Sequence, residues 1–343
     1  MGLVHTEIAD LVALTQEQLV KRGAFVDLQT DLQDHVLVRE LWKGRNKKVF
    51  QGGFPWRFDL QIDKSDAAEW VGLYESDSAA FGDTMIHGTV QPRHINTKYI
   101  YDLREPDLQR GPEKIVDYVK TKYTAMYVDL FDKLEQTFWG KPADSTDEKT
   151  AYGIGYWILK NVTEGFNGEN PVGFAAGRAN INSTTYTRWS NYGGAYTEVS
   201  RADLVRKMQT MARKIRFRSP VSHPEPVLGG MKNGIYANSA TVGLVTEFLE
   251  SQNMNIGYDL GGRNGTFNST PLTYAPYLDS DTDNPLYFID WKYIQLGVLA
   301  GWENNITKPY MVQGMHNVRR VDMDATMQMI CTNLRRQGVL HQA

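Results

Sequence analysis

The stretch FPWRFDLQI, residues 54–62, alternates apolar and polar side chains. Its polar positions are Arg57, Asp59 and Gln61, and its apolar face consists of Phe54, Trp56, Phe58, Leu60 and Ile62. A period of two is typical of a β-strand with one buried face. The flanking chain offers little to cover this face, so we expect another molecule to cover it.

A second strand is predicted beyond this stretch, between Val90 and Tyr101, with Pro92 interrupting it. The intervening segment, residues 64–83, is rich in small and acidic side chains. Together these features predict a two-stranded hairpin, and about fifteen residues of strand would extend it to about 50 Å. A lone hairpin is marginally stable in water. We therefore expect its apolar face to pack on a second copy of the chain.

A long helix is predicted directly after the hairpin, starting at Pro112 and ending before Gly140. Apolar side chains recur three, four or seven residues apart, at Ile115, Tyr118 or Val119, Met126, Leu130, Leu134 and Phe138. About 27 residues give a rod of about 40 Å, roughly twice the average helix. A long core helix of an ordinary globular domain fits this pattern equally well.

Composition indicates a globular chain with two or three sub-domains, because 41% of its 343 residues are hydrophobic and 22% are charged. The sequence has no apolar run long enough for a transmembrane helix and no signal peptide at its start, so we expect no membrane association and a cytosolic site of synthesis. Cys331 is the only cysteine, which excludes intrachain disulfides and cysteine-rich metal sites.

The formal net charge of −3 disfavours a dedicated nucleic-acid-binding protein. Basic residues are nevertheless concentrated on a predicted helix that Ser200 caps, with Leu204, Met208, Met211 and Ile215 as its apolar stripe. Its basic face consists of Arg206, Lys207, Arg213 and Lys214. We interpret this face as a solvated surface that pairs with acids of a neighbour, with phosphate contact as the alternative.

Motifs for catalysis or cofactor binding are missing from the sequence. The seven histidines show no metal-binding spacing, and no nucleophile elbow, Walker loop or dinucleotide fingerprint is present. Asp279, Asp281 and Asp283 alternate as in a calcium loop, but Asn284 and Pro285 replace the usual glycine turn. We interpret these aspartates as a solvated acidic loop, although the sequence does not decide whether they bind an ion. We predict no enzyme activity, no catalytic residues, no cofactor and no metal.

The order of these features resembles the major capsid proteins of tailed bacteriophages with the HK97 fold. The resemblance also involves four segments: GFAAG (173–177), WSNYGGAYTEVSRADLV (189–205), HNVRRVDMD (316–324) and CTNLRRQG (331–338). It implies an α+β fold with an N-terminal arm (1–46), an extended E-loop hairpin (47–103), a peripheral domain with a long spine helix (104–145 and 311–343) and an axial domain (146–310).

The resemblance further implies that the hairpin face contacts a neighbouring subunit, and that the chain forms hexamers and pentamers of an icosahedral shell. Implied partners are scaffold, portal and decoration proteins, and packaged double-stranded DNA through weak contacts. The implied location is the virion capsid, assembled in the host bacterial cytoplasm. The chain starts too close to the hairpin for a long N-terminal scaffolding segment, so we expect none. The resemblance assigns no residues of this chain to the covalent cross-link that some relatives form.

One alternative comes from a different class of protein. Residues 161–194 are rich in Gly, Asn, Ser and Thr with interspersed aromatic side chains, which is also typical of a soluble glycan-binding or glycan-processing β-rich protein.

Overall fold

The computed structural model describes residues 35–42, 46–62, 70–73, 84–105, 112–217, 233–252, 266–268 and 270–343. These residues form an α+β fold. Its α-helices are α1 (Val36–Leu41), α2 (Pro112–Trp139), α3 (Ile154–Trp157), α4 (Arg206–Lys214) and α5 (Ser239–Gln252). A π-helical turn, Arg201–Val205, leads into α4, and two short 3-10 helices span Pro276–Ser280 and Leu334–Arg336. None of the described helices is both long and apolar enough to cross a membrane.

The described strands form two six-stranded sheets and one two-stranded hairpin. In chain order they are β1 (Lys47–Phe50), β2 (Trp56–Gln61), β3 (Met85–Val90), β4 (Arg93–Asp102), β5 (Tyr192–Tyr196), β6 (Asn233–Ala237), β7 (Thr266–Phe267), β8 (Thr270–Tyr274), β9 (Leu286–Asp290), β10 (Ile294–Leu299), β11 (Asn305–Ile306), β12 (Tyr310–Met311), β13 (Val318–Cys331) and β14 (Gly338–Gln342).

The first sheet is built around β13. The alternation of side chains from Asn317 to Leu334 predicts a closing strand in this part of the sequence, and β13 lies within it. β4 pairs antiparallel with one edge of β13 from Val318 to Met327. β12, β11 and β10 pair in turn along the other edge, and β1 adds to β10 in parallel. From Val318 to Met327, β13 therefore has neighbouring strands on both edges, which leaves few of its backbone groups open to water.

The second sheet has the order β5-β14-β9-β6-β8-β7. α4 covers it with the predicted apolar stripe, because Leu204, Met208, Met211 and Ile215 are all buried. The contact with β14 is close: a Cβ added at Gly338 would lie 2.7 Å from the sulfur of Met211. Glycine is therefore the residue that lets this helix approach the sheet.

The long helix α2 has the predicted bounds and buries the predicted side chains from Val119 onward. The buried members of the stripe are Val119, Met126, Leu130, Leu134 and Phe138. The prediction for Ile115 and Tyr118 falls outside the described side chains. α2 packs on β4 and on α1, which places it in the main core.

The predicted second strand of the hairpin divides at Pro92, and this differs from the expectation of one long arm. β3 pairs with β2 over six residue pairs, from Trp56↔Val90 to Gln61↔Met85. β4 instead pairs with β13 in the first sheet. Proline has no N–H to donate to a ladder, so the strand breaks there and changes sheets. Most of the predicted arm beyond Ile62 lies outside the described residues.

The sheets do not follow the predicted domain boundaries throughout. β10 and β11 fall within the predicted axial domain but belong to the first sheet, whereas β14 falls within the predicted peripheral segment 311–343 but belongs to the second. The N-terminal arm (1–46) lies largely outside the described residues, and its described part includes α1, which is docked with Leu37 and Leu41 fully buried. The division into domains stays a prediction.

Candidate interaction surfaces

The predicted apolar face of the hairpin is largely covered by its own chain. Trp56, Phe58 and Leu60 are only 2%, 5% and 8% exposed, and Ile62 is half-buried. The expectation that the chain cannot cover this face is therefore wrong for these residues. The indole of Trp56 stacks on Phe50 of β1, with ring centroids 4.4 Å apart and planes within 6°.

Two glycines provide the space for these rings. A Cβ at Gly297 in β10 would lie 2.8 Å from the Trp56 ring, and a Cβ at Gly88 would lie 2.5 Å from the Phe58 ring. The sequence pattern identified the aromatic residues but not the glycines that receive them, because the glycines lie 30 or more positions away.

A turn at residues 177–180 fixes the base of the hairpin. The backbone N–H of Thr89 donates to the carbonyl of Ala179 at 2.9 Å, and the side-chain amide of Asn180 donates to the Thr89 hydroxyl at 2.6 Å. Ala179 and Asn180 adopt φ angles of 54° and 60°, which non-glycine residues rarely adopt. Surrounding contacts must therefore hold this turn in place.

Arg178 supplies those contacts from a fully buried position. Its guanidinium donates to the carbonyl of Trp157 at 2.7 Å, to the side-chain oxygen of Asn191 at 2.8 Å and to the carbonyl of Gly168. Burial lowers the pKa of Arg178 to about 10. Neutral amide oxygens thus solvate the charge, and the loop-rich segment is organised around it.

Three of the large apolar residues that the chain leaves uncovered lie on and beside the hairpin. Phe54 is 69% exposed, Trp70 is fully exposed and Leu73 is 88% exposed. Phe54 is thus the one member of the predicted face that is left open as expected. The sequence analysis missed Trp70 and Leu73, although a tryptophan in a small, acidic stretch was a visible signal. We name Phe54, Trp70 and Leu73 the exposed hairpin residues.

A buried carboxylate fixes α1 to α2. Glu135 accepts hydrogen bonds from the backbone N–H groups of Leu37 at 2.9 Å and Val38 at 2.8 Å, and from the indole N–H of Trp139 at 2.8 Å. Burial raises the pKa of Glu135, although these three donors and His35 oppose the shift. The carboxylate satisfies N–H groups at the start of α1, which have no partner within the helix. Sequence reasoning missed this residue because the α1 amides that donate to it lie almost a hundred positions away.

The predicted basic face on α4 is partly engaged within the chain. Ser200 caps the helix by accepting from Asp203 N–H, as predicted. Lys207 pairs with Asp203 at 2.6 Å and donates to the carbonyl of Ala195 at 2.7 Å. Arg206, Arg213 and Lys214 are exposed and form no ion pair with a described acid. Three of the four predicted basic residues are therefore exposed and without an ion-pair partner among the described acids.

The three alternating aspartates have partners within the chain. The ammonium of Lys160 lies 2.6 Å from both Asp281 oxygens and 2.9 Å from Asp283, and this pairing lowers the pKa of Asp283. Asp279 accepts from the Ser239 N–H at 2.8 Å and from the Tyr274 hydroxyl at 2.6 Å. In the part of the chain that the structure describes, no cluster of three or more His, Cys, Asp or Glu side chains is placed to hold a metal ion.

Comparison with known proteins gives no match to a family model and none to a curated sequence. Solved structures do match. The cyanophage A-1(L) capsid asymmetric unit shares 11% identity, with 89% of this chain and 92% of that chain covered and a TM-score of 0.63. The capsid of a native GTA particle shares 10% identity, with 90% of each chain covered and a TM-score of 0.57. The chain therefore has the fold found in these capsid structures.

Proposed function

We propose that this chain is the major capsid subunit of a double-stranded DNA bacteriophage, which self-assembles into hexamers and pentamers of an icosahedral shell. The observation that carries the proposal is the likeness to capsid chains over about nine-tenths of both partners. The likeness includes nearly the whole of this chain, so the proposed role applies to the whole chain and not to one part of it. The proposed role is structural, without enzymatic activity.

The finer architecture is proposed to follow the HK97 arrangement. In it, α2 is the spine helix of the peripheral domain, the segment from β1 to the end of β4 contains the E-loop, and residues 146–310 are mainly the axial domain. The length of α2 and its packing against β4 support this assignment. β10, from the proposed axial domain, joins the sheet built around β13. β14, from the proposed peripheral domain, joins the other sheet, so residues after 290 contribute strands to both sheets.

The hairpin is proposed to contact a neighbouring subunit, with its residues in two roles. Trp56, Phe58 and Leu60 anchor it to its own chain, since all three are buried there. Phe54, Trp70 and Leu73 are proposed to make the contact, because they expose apolar surface that the described chain does not cover. Burying one such side chain contributes about 2 kcal/mol, and repetition around a symmetric shell multiplies the gain.

The glycan-binding alternative gains no support. Its motivating aromatic residues include Phe174, Trp189 and Tyr192, which are only 6%, 3% and 2% exposed. Rings buried to this degree anchor loops and offer no face to a sugar.

The remaining parts of the proposal concern partners and location. The subunit is proposed to reside in the virion after assembly in the host cytoplasm, with scaffold, portal and decoration proteins as partners. It is also proposed to contact packaged DNA weakly, which agrees with a net charge of −3 and with basic residues confined to local surfaces.

The size of the expressed protein tests the proposal. Sedimentation velocity and negative-stain microscopy should show rings, shells or other large closed particles. Discrete monomers or dimers, at concentrations and salt conditions that span those used for assembly, would overturn it.

A further inference from the structure

Three segments distant in sequence meet beyond the C-terminal end of α4. The guanidinium of Arg336 donates to the carbonyl of Arg216 at 3.2 Å and lies 3.4 Å from that of Ile215. This contact joins the end of α4 to the 3-10 helix that precedes β14. Both segments are rich in arginine.

Aromatic rings bring further cations to the same region. The Arg336 guanidinium and the Lys292 ammonium lie 6.0 and 5.6 Å from the centroid of Tyr293, in the turn between β9 and β10. The guanidinium of Arg335 lies 4.0 Å from the centroid of Phe166. Contacts of this kind hold cationic groups in place against the ring faces.

Most of the exposed basic residues on this surface lack an acidic partner in the part of the chain that the structure describes. We name it the basic aromatic surface; its exposed basic residues are Arg188, Arg213, Lys214, Arg216, Lys292 and Arg335. Of these, Arg213, Lys214, Arg216, Lys292 and Arg335 form no ion pair with any acid of the described chain. Asp290, on the same turn as Lys292, accepts the backbone N–H of that residue at 3.1 Å. Burial lowers the pKa of Arg335, and the nearby positive charge of Arg188 lowers it further.

We propose that the basic aromatic surface binds the phosphate backbone of double-stranded DNA. The inference deepens the proposed function, on which it rests for the identity of the polyanion. Arginine suits this role because its planar fork matches phosphate geometry and stacks on aromatic rings. Contacts to phosphates alone do not depend on the base sequence. A shell that encloses a whole genome requires contacts of this kind, because every sequence in the genome can meet the same surface.

An interface with an acidic protein is the competing explanation, and the surface fits it less well. Protein interfaces bury an apolar centre surrounded by a polar rim. The large exposed apolar side chains of the described chain lie elsewhere, and none belongs to residues 188, 213–216, 292–293 or 335–336. A surface that carries cations but no large exposed apolar side chain fits DNA better than it fits a protein partner.

The test uses the full chain and a fluorescent DNA duplex of about 20 base pairs. Fluorescence anisotropy measures binding between about 50 and 200 mM salt, a range in which phosphate contacts depend strongly on salt. One variant removes one charge from each segment: Arg213→Gln, Lys292→Gln and Arg335→Gln. A matched control, Lys98→Gln, Lys141→Gln and Lys149→Gln, removes three exposed charges elsewhere and keeps the same net charge. Circular dichroism and sedimentation confirm that each protein folds and assembles as the wild type does.

We expect the first variant to bind DNA at least about tenfold more weakly and to lose about 2.7 from the slope of log K against log salt, since each phosphate contact contributes about 0.9. The control should retain the wild-type slope. Equal losses of DNA affinity in both variants would overturn the DNA assignment. It would also be overturned if polyglutamate displaced the labelled DNA at a lower concentration of negative charge than unlabelled duplex does. If shells form while DNA binding is unaffected, only this inference fails, whereas the absence of any assembly counts against the proposed function.

Discussion

Phe58 and Gly88 face each other across the two strands of the hairpin, and the ring fills the volume that a side chain on residue 88 would need. A Cβ at that position would lie 2.5 Å from the Cζ atom of the ring. The pair places a large ring opposite the only residue type that leaves room for it. The two strands of the hairpin are therefore held together by complementary shape as well as by hydrogen bonds.

Replacing this glycine should destabilise the hairpin. We expect Gly88→Ala to displace the Phe58 ring and to lower the free energy of unfolding by about 1–3 kcal/mol, the usual cost of overpacking. Urea denaturation followed by tryptophan fluorescence measures the change. Gly243→Ala is the control, because no atom lies within 4 Å of its Cβ position in α5, and helix propensity favours alanine there by about 1 kcal/mol. Equal effects of the two substitutions would contradict the packing argument.

Exposed and buried members of the hairpin should respond differently to a charge. Phe54→Asp and Trp70→Asp should leave the unfolding transition nearly unchanged but reduce or abolish large particles in sedimentation, because these side chains are exposed in the single chain. Trp56→Asp should instead destabilise the fold by several kcal/mol, about 3 or more, since it leaves an unpaired carboxylate in the core. A Phe54→Asp, Trp70→Asp double variant that assembles normally would remove these residues from the proposed interface.

The contact between Glu135 and α1 should respond to loss of a single acceptor. Glu135→Gln replaces one carboxylate oxygen with an amide donor that faces a backbone N–H. We expect a loss of about 1–3 kcal/mol and faster hydrogen exchange at the amides of Leu37 and Val38. Glu148→Gln, which changes an exposed carboxylate, is the matched control. Unchanged exchange at both amides would show that Glu135 does not hold α1.

Acid should weaken the start of α4 through Asp203. Burial alone would raise the pKa of this carboxyl, but hydrogen bonds from Lys207, Thr197 and the Glu198 N–H outweigh burial and lower it. A carboxyl with a depressed pKa stabilises the fold above its unfolded pKa of about 3.9, and the contribution is lost as the pH falls through the folded value.

The corresponding variant is Asp203→Asn. It should cost about 1–3 kcal/mol at pH 7, and this difference from wild type should shrink as the pH falls below about 4. Urea denaturation at a series of pH values measures it. Glu198→Gln, in the same loop but with an exposed side chain, should show no such pH-dependent difference. A constant difference for Asp203→Asn across the series would exclude the linkage.

Local periodicity predicted the regular elements that bury one face. The bounds of α2, the cap at Ser200, the stripe on α4 and the long strand β13 could all be anticipated, because each depends on spacing within a short window. The hairpin strand β2 was predicted for the same reason. The residues that cover each buried face could not be predicted in this way, because they come from segments that are distant in the sequence.

The covering of Trp56 illustrates that limit. The Trp56 ring stacks on Phe50 in β1 and lies over Gly297 in β10. Neither segment alone reveals that β1 and β10 pair in parallel. The premise that the chain could not cover this face was therefore wrong, while the α+β capsid fold drawn from the resemblance is supported by the likeness of the whole chain. The basic aromatic surface was missed for the same reason, since Arg216, Tyr293 and Arg336 come into contact only after folding.

The position of β13 in the chain has a consequence for biosynthesis. Its four partners in the first sheet, β4, β10, β11 and β12, all precede it, so each waits for residues 318–331 to leave the ribosome. A nascent or prematurely terminated polypeptide lacking this strand would carry unpaired edges, which are prone to aggregation. Translation must therefore pass residue 331 before the first sheet can close, which keeps incomplete polypeptides out of the pool of competent subunits.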